Sequence, residues 1–349
     1  MCGKRAALSL SLSLSLSLSN AAVCLSTPQS SWPHYLNRCS YCDTCRIHVF
    51  PVQYRGSGVH NSGRAVLVTG CDSGFGLALA LHLHKLGFRV FAGCLQIKGT
   101  GAEKLRSEGS KRLHVLQMDV TSQKQIDNAL KEVKKLLEKG EELWGLVNNA
   151  GLATYGEVEW VNIETFRRFL EVNTIGVLAV TKTFLPLIRR AKGRVVTIAS
   201  GLGRMAVPMR APYVVSKYAV EGLCDCLRYE MRSWGVKVSI IEPGNFIAGT
   251  SIFSETSIND AAKTMWETMS DDVRSDYGRE HFEARVNLMK KYAKIGYTDL
   301  SPVINAYTEA LVQRFPQARY HPMDLYFRLR VFIATHLPEF FYEKIYVGN

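Results

Sequence analysis

Eight residues, Thr69-Gly70-Cys71-Asp72-Ser73-Gly74-Phe75-Gly76, constrain this chain more than any other segment. An apolar run, Ala65-Val66-Leu67-Val68, leads into them with the length and composition of a buried parallel strand. Leu77 to Leu86 follows with helix-compatible residues, and Gly87 ends that run. A strand, a glycine turn and a helix in this order form a cradle for a dinucleotide. Glycine is needed where the chain turns tightly, where backbone approaches a pyrophosphate, and where helix and strand pack closely. The helix N-terminus then offers free N–H groups and the positive end of its dipole to the phosphates. The spacing is Gly-x-x-x-Gly-x-Gly rather than Gly-x-Gly-x-x-Gly. Alone, the octapeptide is therefore also compatible with an ordinary glycine turn.

The rest of the chain decides between these. Short apolar runs at Val90-Phe91-Ala92, Leu113 to Met118, Leu143 to Val147, Val195 to Ile198 and Val236 to Ile241 have the character of buried strands. Helix-like segments lie between them, notably Ser122 to Lys139, Ile163 to Arg189 and Tyr213 to Arg232. This alternation predicts an α/β fold, a doubly wound parallel sheet of Rossmann type with helices on both faces. Ligands of such sheets sit at the carboxyl ends of the strands.

Tyr213 and Lys217 lie four residues apart, 13 residues after Ser200 and behind the strand-like run Arg194-Val195-Val196-Thr197-Ile198. One helical turn separates them, so their side chains share a face. A tyrosine base near neutral pH needs a phenol pKa well below its free value of about 10. A neighbouring ammonium favours the phenolate, which predicts that Lys217 lowers Tyr213.

With these residues in place, the chain resembles the short-chain dehydrogenase/reductase family from about Arg64 to at least Gly249. The resemblance rests on Thr69 to Gly76, Asp119-Val120, Asn148-Asn149-Ala150-Gly151, Asn173, Ser200, Tyr213, Lys217 and Pro243-Gly244, all in the family's order. It implies an oxidoreductase with Tyr213 as acid/base and Lys217 also holding the nicotinamide ribose. Ser200 is expected to hydrogen-bond the substrate oxygen, and Asn173 to hold a water that relays the proton. The implied cofactor-binding set is Gly70, Ser73, Gly74, Phe75, Gly76, Asp119, Val120, Asn149, Ala150, Gly151, Tyr213, Lys217, Pro243 and Gly244. Further segments are similar to the family members that act on 3-hydroxybutyrate: Leu185 to Val196, Asp225 to Met231, Glu242 to Ala248 and Arg319 to Asp324. The members acting on retinol or hydroxysteroids share much of this and are the alternative. A scaffold that senses a dinucleotide without catalysis is the non-enzymatic alternative, against which Asn173, Ser200, Tyr213 and Lys217 argue.

NAD is the expected cofactor. The second strand runs into Gly93-Cys94-Leu95-Gln96 without a carboxylate for the ribose, but Asp72 in the turn would repel the extra phosphate of NADP. Asp119-Val120 is expected at the adenine, with a helix cap as the other reading of Asp119. Substrate recognition belongs between Ser200 and Tyr213, where Arg204 and Arg210 lie, and in the segment after Pro243-Gly244. A planar guanidinium suits a carboxylate. Arg210, three residues before the base, is the candidate for the carboxylate of a 3-hydroxy acid, with a surface arginine as the competing reading; Arg204 reads as a structural contact. Thr250 to Leu300 reads as mobile helices forming a lid.

The chain has 349 residues and a net charge of +12, and no basic-aromatic nucleic-acid module. Residues 1–63 read as a leader. It holds a strict Leu/Ser alternation from Leu8 to Ser19, and residues 1–42 lack Asp and Glu, a composition that suits a mitochondrial transit peptide. A secretory signal or an endoplasmic reticulum anchor competes. Cys39-x-x-Cys42-x-x-Cys45-x-x-His48 is too tight for usual zinc modules, so no metal is expected. Residues 64–300 read as the catalytic domain with its lid, and 301–349 as an aromatic-rich tail, either interfacial at a phospholipid surface or packed on protein. The resemblance implies a homotetramer at the matrix face of the mitochondrial inner membrane, with phosphatidylcholine as activator.

Overall fold

The computed structural model describes residues 63–250 and 252–347. The leader and its cysteine run lie outside the described residues, apart from Gly63. Seven parallel strands form one sheet: β1 (Arg64–Thr69), β2 (Arg89–Cys94), β3 (Leu113–Gln117), β4 (Glu142–Asn148), β5 (Arg194–Ile198), β6 (Lys237–Ile241) and β7 (Arg319–Tyr320). Their spatial order is β3-β2-β1-β4-β5-β6-β7. The order reverses direction between β1 and β4, and the crevice outside those two strand ends is where such a sheet binds a ligand.

Helices cover both faces: α1 (Gly74–Lys85), α2 (Thr100–Glu108), α3 (Gln123–Leu136), α4 (Ile163–Leu170), α5 (Gly176–Arg190) and α6 (Ala211–Met231). A π-helical turn, Glu171–Ile175, joins α4 to α5. The strands are buried on both sides because one face packs on α1 and the other on α3, α5 and α6. That explains why each reads as a continuous apolar run rather than an alternating one.

Beyond β6 lie α7 (Ile247–Thr250), α8 (Glu255–Thr268), α9 (Asp271–Tyr277), α10 (Arg279–Ala293) and α11 (Ser301–Val312). The three helices α8 to α10 close on Tyr155, Trp160 and Val161 through Ile258, Met265, Phe282 and Met289, a separate apolar cluster above the sheet. The core also extends past the boundary drawn at residue 300. Val303, Tyr307, Ala310 and Leu311 of α11 are fully buried where this helix packs on α1, β5 and β6. After β7, α12 (Leu325–His336) and α13 (Glu339–Tyr342) follow. Their inner residues Val331, Ile333 and Tyr342 pack with Met323 on Met205 and Leu202, just beyond Ser200. Outward, Leu325, Leu329 and Phe332 of α12 and Phe340 and Phe341 are exposed.

Candidate active site

The glycine turn is locked from the neighbouring strand. The Thr69 hydroxyl accepts from the backbone N–H groups of Asn149 and Ala150, both at 3.0 Å. The Asn149 amide donates to the carbonyls of Thr69 (2.9 Å) and Gly70 (3.2 Å). Tyr307 of α11 donates to Asn149 Oδ1 at 3.1 Å, a buried support that no motif had indicated. Gly70 has φ +70°, a conformation that favours glycine. At Gly76 a Cβ would stand 2.2 Å from the Gly70 carbonyl oxygen, so helix and turn touch only because no side chain intervenes. Ser73 is the extended N-cap of α1 and its side chain makes no cap bond. The first-turn N–H groups of α1 therefore have no side-chain cap and suit an anion. Phe75 packs edge-on against Phe246, and Gly74 opens the helix.

Asp72 reaches across to the end of β2, where its carboxylate accepts from Leu95 N (2.9 Å) and Gln96 N (2.8 Å). The position after β2 thus has a carboxylate after all, supplied by the turn. Asp119 does not cap a helix. It accepts from the backbone and hydroxyl of Thr121 (2.9 and 2.7 Å), while Ser122 caps α3. Val120 is buried next to Gly176. Gly244 donates its N–H to Pro322 O at 3.1 Å, and a Cβ there would meet Met323 Cβ at 2.8 Å, so Pro243-Gly244 is held by the segment after β7.

Asn173 and Lys217 meet beside Gly151, and Lys217 lies in turn against the Tyr213 ring. Ser200 lies two residues beyond β5, accepts from Leu202 N at 3.2 Å and lies within hydrogen-bonding reach of the Tyr213 phenol. Tyr213 stands in the first turn of α6. Lys217, one turn on, is buried, donates to Ile198 O at 3.1 Å and has its Nζ 5.6 Å from the Tyr213 ring centroid. Burial brings its pKa down to about 8. The expected lowering of Tyr213 by Lys217 is not what the protein groups produce. Burial raises the phenol, and the influences that oppose this come from Ser200 and Arg210. Asn173 sits in the π turn, a geometry often found at functional sites. Its Oδ1 accepts from Leu152 N (2.8 Å), and its amide donates to Leu152 O (3.0 Å) and Ser216 Oγ (2.9 Å). Both amide protons are thus committed to protein.

The two arginines part company. Arg204 turns to Glu242, 3.7 Å away. Arg210 is the N-cap residue of α6 and only 9% exposed. It is therefore not a surface arginine. Its guanidinium donates to Thr154 O at 3.4 Å, and its Cζ lies 5.1 Å from the Phe253 ring centroid and 5.2 Å from that of Tyr292. Burial lowers its pKa, and the groups that oppose this are Tyr292, Tyr213 and Tyr155. No carboxylate pairs with it among the described residues.

The family model for short chain dehydrogenases matches residues 64–260, more than half of the chain. The chain belongs to the short-chain dehydrogenase family. As a short-chain dehydrogenase it is an oxidoreductase, and its full sequence has relatives well beyond the sheet. It is 51% identical over 289 residues to the mitochondrial D-beta-hydroxybutyrate dehydrogenase of Mus musculus, covering 82% of this chain and 84% of that one. It is 52% identical over 288 residues to the Bos taurus enzyme of the same name, covering 81% and 84%. Retinol dehydrogenase 7 of Rattus norvegicus is 41% identical over 263 residues, covering 75% and 81%. Among solved structures, a short-chain dehydrogenase from Streptomyces avermitilis superposes with TM-score 0.60 at 25% identity, covering 74% of this chain and 88% of that one.

Proposed function

We propose that this chain oxidises (R)-3-hydroxybutyrate to acetoacetate with NAD and catalyses the reverse reduction. The observation that carries this reading is Arg210, a buried cation with no carboxylate partner among the described residues, beside the tyrosine at the reacting end of the site. A buried charge is costly unless paired, and a substrate carboxylate supplies the missing partner. The 3-hydroxy acid keeps that carboxylate through the reaction, so one arginine serves both directions.

A nicotinamide dinucleotide bound there would supply the acceptor for the hydride from C3. The turn from Gly70 to Gly76 and the start of α1 would hold its phosphates, with Asp119, Val120, Asn149, Ala150, Gly151, Pro243 and Gly244 around the remainder. Asp72 at the end of β2 favours ribose hydroxyls and repels a ribose phosphate, which supports NAD over NADP. Tyr213 removes the hydroxyl proton, Ser200 holds the same oxygen, and Lys217 adds positive charge beneath the phenol. Asn173 keeps the 151–152 backbone in place and, with its amide protons committed, takes part in a water relay only through its oxygen atoms.

The setting follows from the same features. The two D-beta-hydroxybutyrate dehydrogenases named above are mitochondrial, which supports a mitochondrial location, and the matrix face of the inner membrane is part of the same proposal. The exposed apolar residues of α12 and α13, with Arg328 and Arg330 on the same segment, suit a phosphatidylcholine surface. Exposed Ile163, Ile175, Val215, Tyr218 and Tyr229 on α4 to α6 support a homotetramer joined through those helices. The test is a turnover screen of the purified enzyme with NAD and NADP against 3-hydroxybutyrate, retinol and a 3-hydroxysteroid. The highest kcat/KM is expected for 3-hydroxybutyrate with NAD; preference for retinol or the steroid would overturn the proposal.

A further inference from the structure

Arg210 is clamped by a helix from a distant part of the chain. Its backbone is fixed by a bridge between Gly156 and Arg210 and by the Gly156 N–H bond to Met209 O at 2.9 Å, with Met209 at φ +64°. Its guanidinium lies over two aromatic rings, Phe253 and Tyr292. Tyr292 belongs to α10, whose Phe282, Val286 and Met289 are buried in the cluster around Tyr155 and Trp160. The tyrosine is thus held by packing and not by its own polar group. Among the described residues its hydroxyl has no hydrogen-bond partner, although Tyr155 beside it donates to Ile258 O at 2.8 Å.

We propose that Tyr292 is a specificity-determining residue, its ring bracing the Arg210 guanidinium and its hydroxyl donating to the substrate carboxylate that Arg210 binds. This rests on the carboxylate reading of Arg210. A guanidinium with aromatic rings against it is approached along its edge. A phenol next to that edge adds one hydrogen bond to a charged acceptor, and an uncharged substrate gains much less from it.

The test uses the full-length enzyme and compares acetoacetate with its neutral methyl ester, both reduced with NADH. Tyr292→Phe keeps the ring and removes only the hydroxyl. Its KM for acetoacetate and 3-hydroxybutyrate should rise about tenfold, the effect of one hydrogen bond to a charged group, with kcat within about twofold. The kcat/KM for methyl acetoacetate should stay within about twofold. An unchanged KM for the acid overturns the proposal, as do equal losses on acid and ester, which mark a packing role. Arg210→Leu separates the two readings. If it loses the acid selectively while Tyr292→Phe does not, only the role of Tyr292 falls. If neither variant changes acid binding, the carboxylate site falls with it.

Discussion

Replacing Arg210 by leucine should move stability and function in opposite directions. The guanidinium is 9% exposed and has no carboxylate partner among the described residues, so the folded protein carries the desolvation cost of a cation, several kcal/mol after relaxation. Leucine removes that cost. It also gives up a long hydrogen bond to Thr154 O, at 3.4 Å, worth at most about 1 kcal/mol, and contacts over Phe253 and Tyr292 of about 0.5–1 kcal/mol each. Leucine retains apolar volume among Phe253, Tyr155 and Tyr292. The balance favours the variant by about 1–3 kcal/mol, a rise of roughly 2–10 °C in Tm. Substrate binding should change the other way. Truncating one side of a desolvated charge pair costs about 2–5 kcal/mol, a rise in KM for 3-hydroxybutyrate of roughly 30-fold to a few thousand-fold. Thermal melting without substrate and steady-state kinetics on acid and methyl ester provide both readouts. A variant that melts well below wild type and loses acid and ester activity alike would show that Arg210 is a structural residue, and the reasoning from its missing partner would be refuted.

Tyr213→Phe should lower turnover by about 10²–10⁴ while NADH binding, read by fluorescence titration, stays within a few-fold of wild type; near-normal turnover would remove tyrosine as the acid/base. Glu221 is buried next to Glu242, and burial with that neighbour raises its pKa from 4.5 to about 8 despite Arg319 at 3.0 Å. The folded state therefore holds a proton that the unfolded chain has released between about pH 4.5 and 8, so this group's contribution to stability falls as pH rises through that window. Glu221→Gln should flatten that fall in urea melts at pH 5.5 and 8.5; parallel curves for the two proteins would contradict the assignment. Phosphatidylcholine vesicles should raise wild-type activity, and Leu329→Ser with Phe332→Ser should remove the response while leaving the lipid-free rate intact. Deleting everything after Asp324 is a poorer probe, because it would strip Val331, Ile333 and Tyr342 from Met205 near the catalytic serine.

Six of the seven strands could be read from apolar runs, five because they are buried on both faces and β3, a partly covered edge strand, from Leu113, Val115 and Leu116. β7 could not, since two residues carry no periodicity, and α2 is mostly polar, with only Gly101, Ala102 and Leu105 turned inward. The residues around the reacting centre announced themselves by spacing, which local helix and strand geometry enforces. Their environment did not. Two arginines stand six residues apart, and only the fold reveals that one meets Glu242 while the other is buried with no carboxylate partner among the described residues. Likewise, only the fold reveals that the Lys217 ammonium, 5.6 Å from the Tyr213 ring centroid, spends a hydrogen bond on the carbonyl of Ile198. Tyr292 and Tyr307 reach the site from α10 and α11, and nothing near them in the chain hints at it.

The π turn at Glu171–Ile175 has a consequence for how this helix tolerates length changes. A π turn takes in one residue more than an α turn. The surplus residue is absorbed within the five, where Asn173 bonds Leu152 and Ser216, and the helices on either side keep α geometry. Removing one of the other four residues should let the segment anneal into unbroken α geometry while Val177, Val180 and Phe184 keep their packing on the sheet. Such a deletion should therefore cost Asn173 its bonds and leave the core intact, so that the fold survives a change that the site does not.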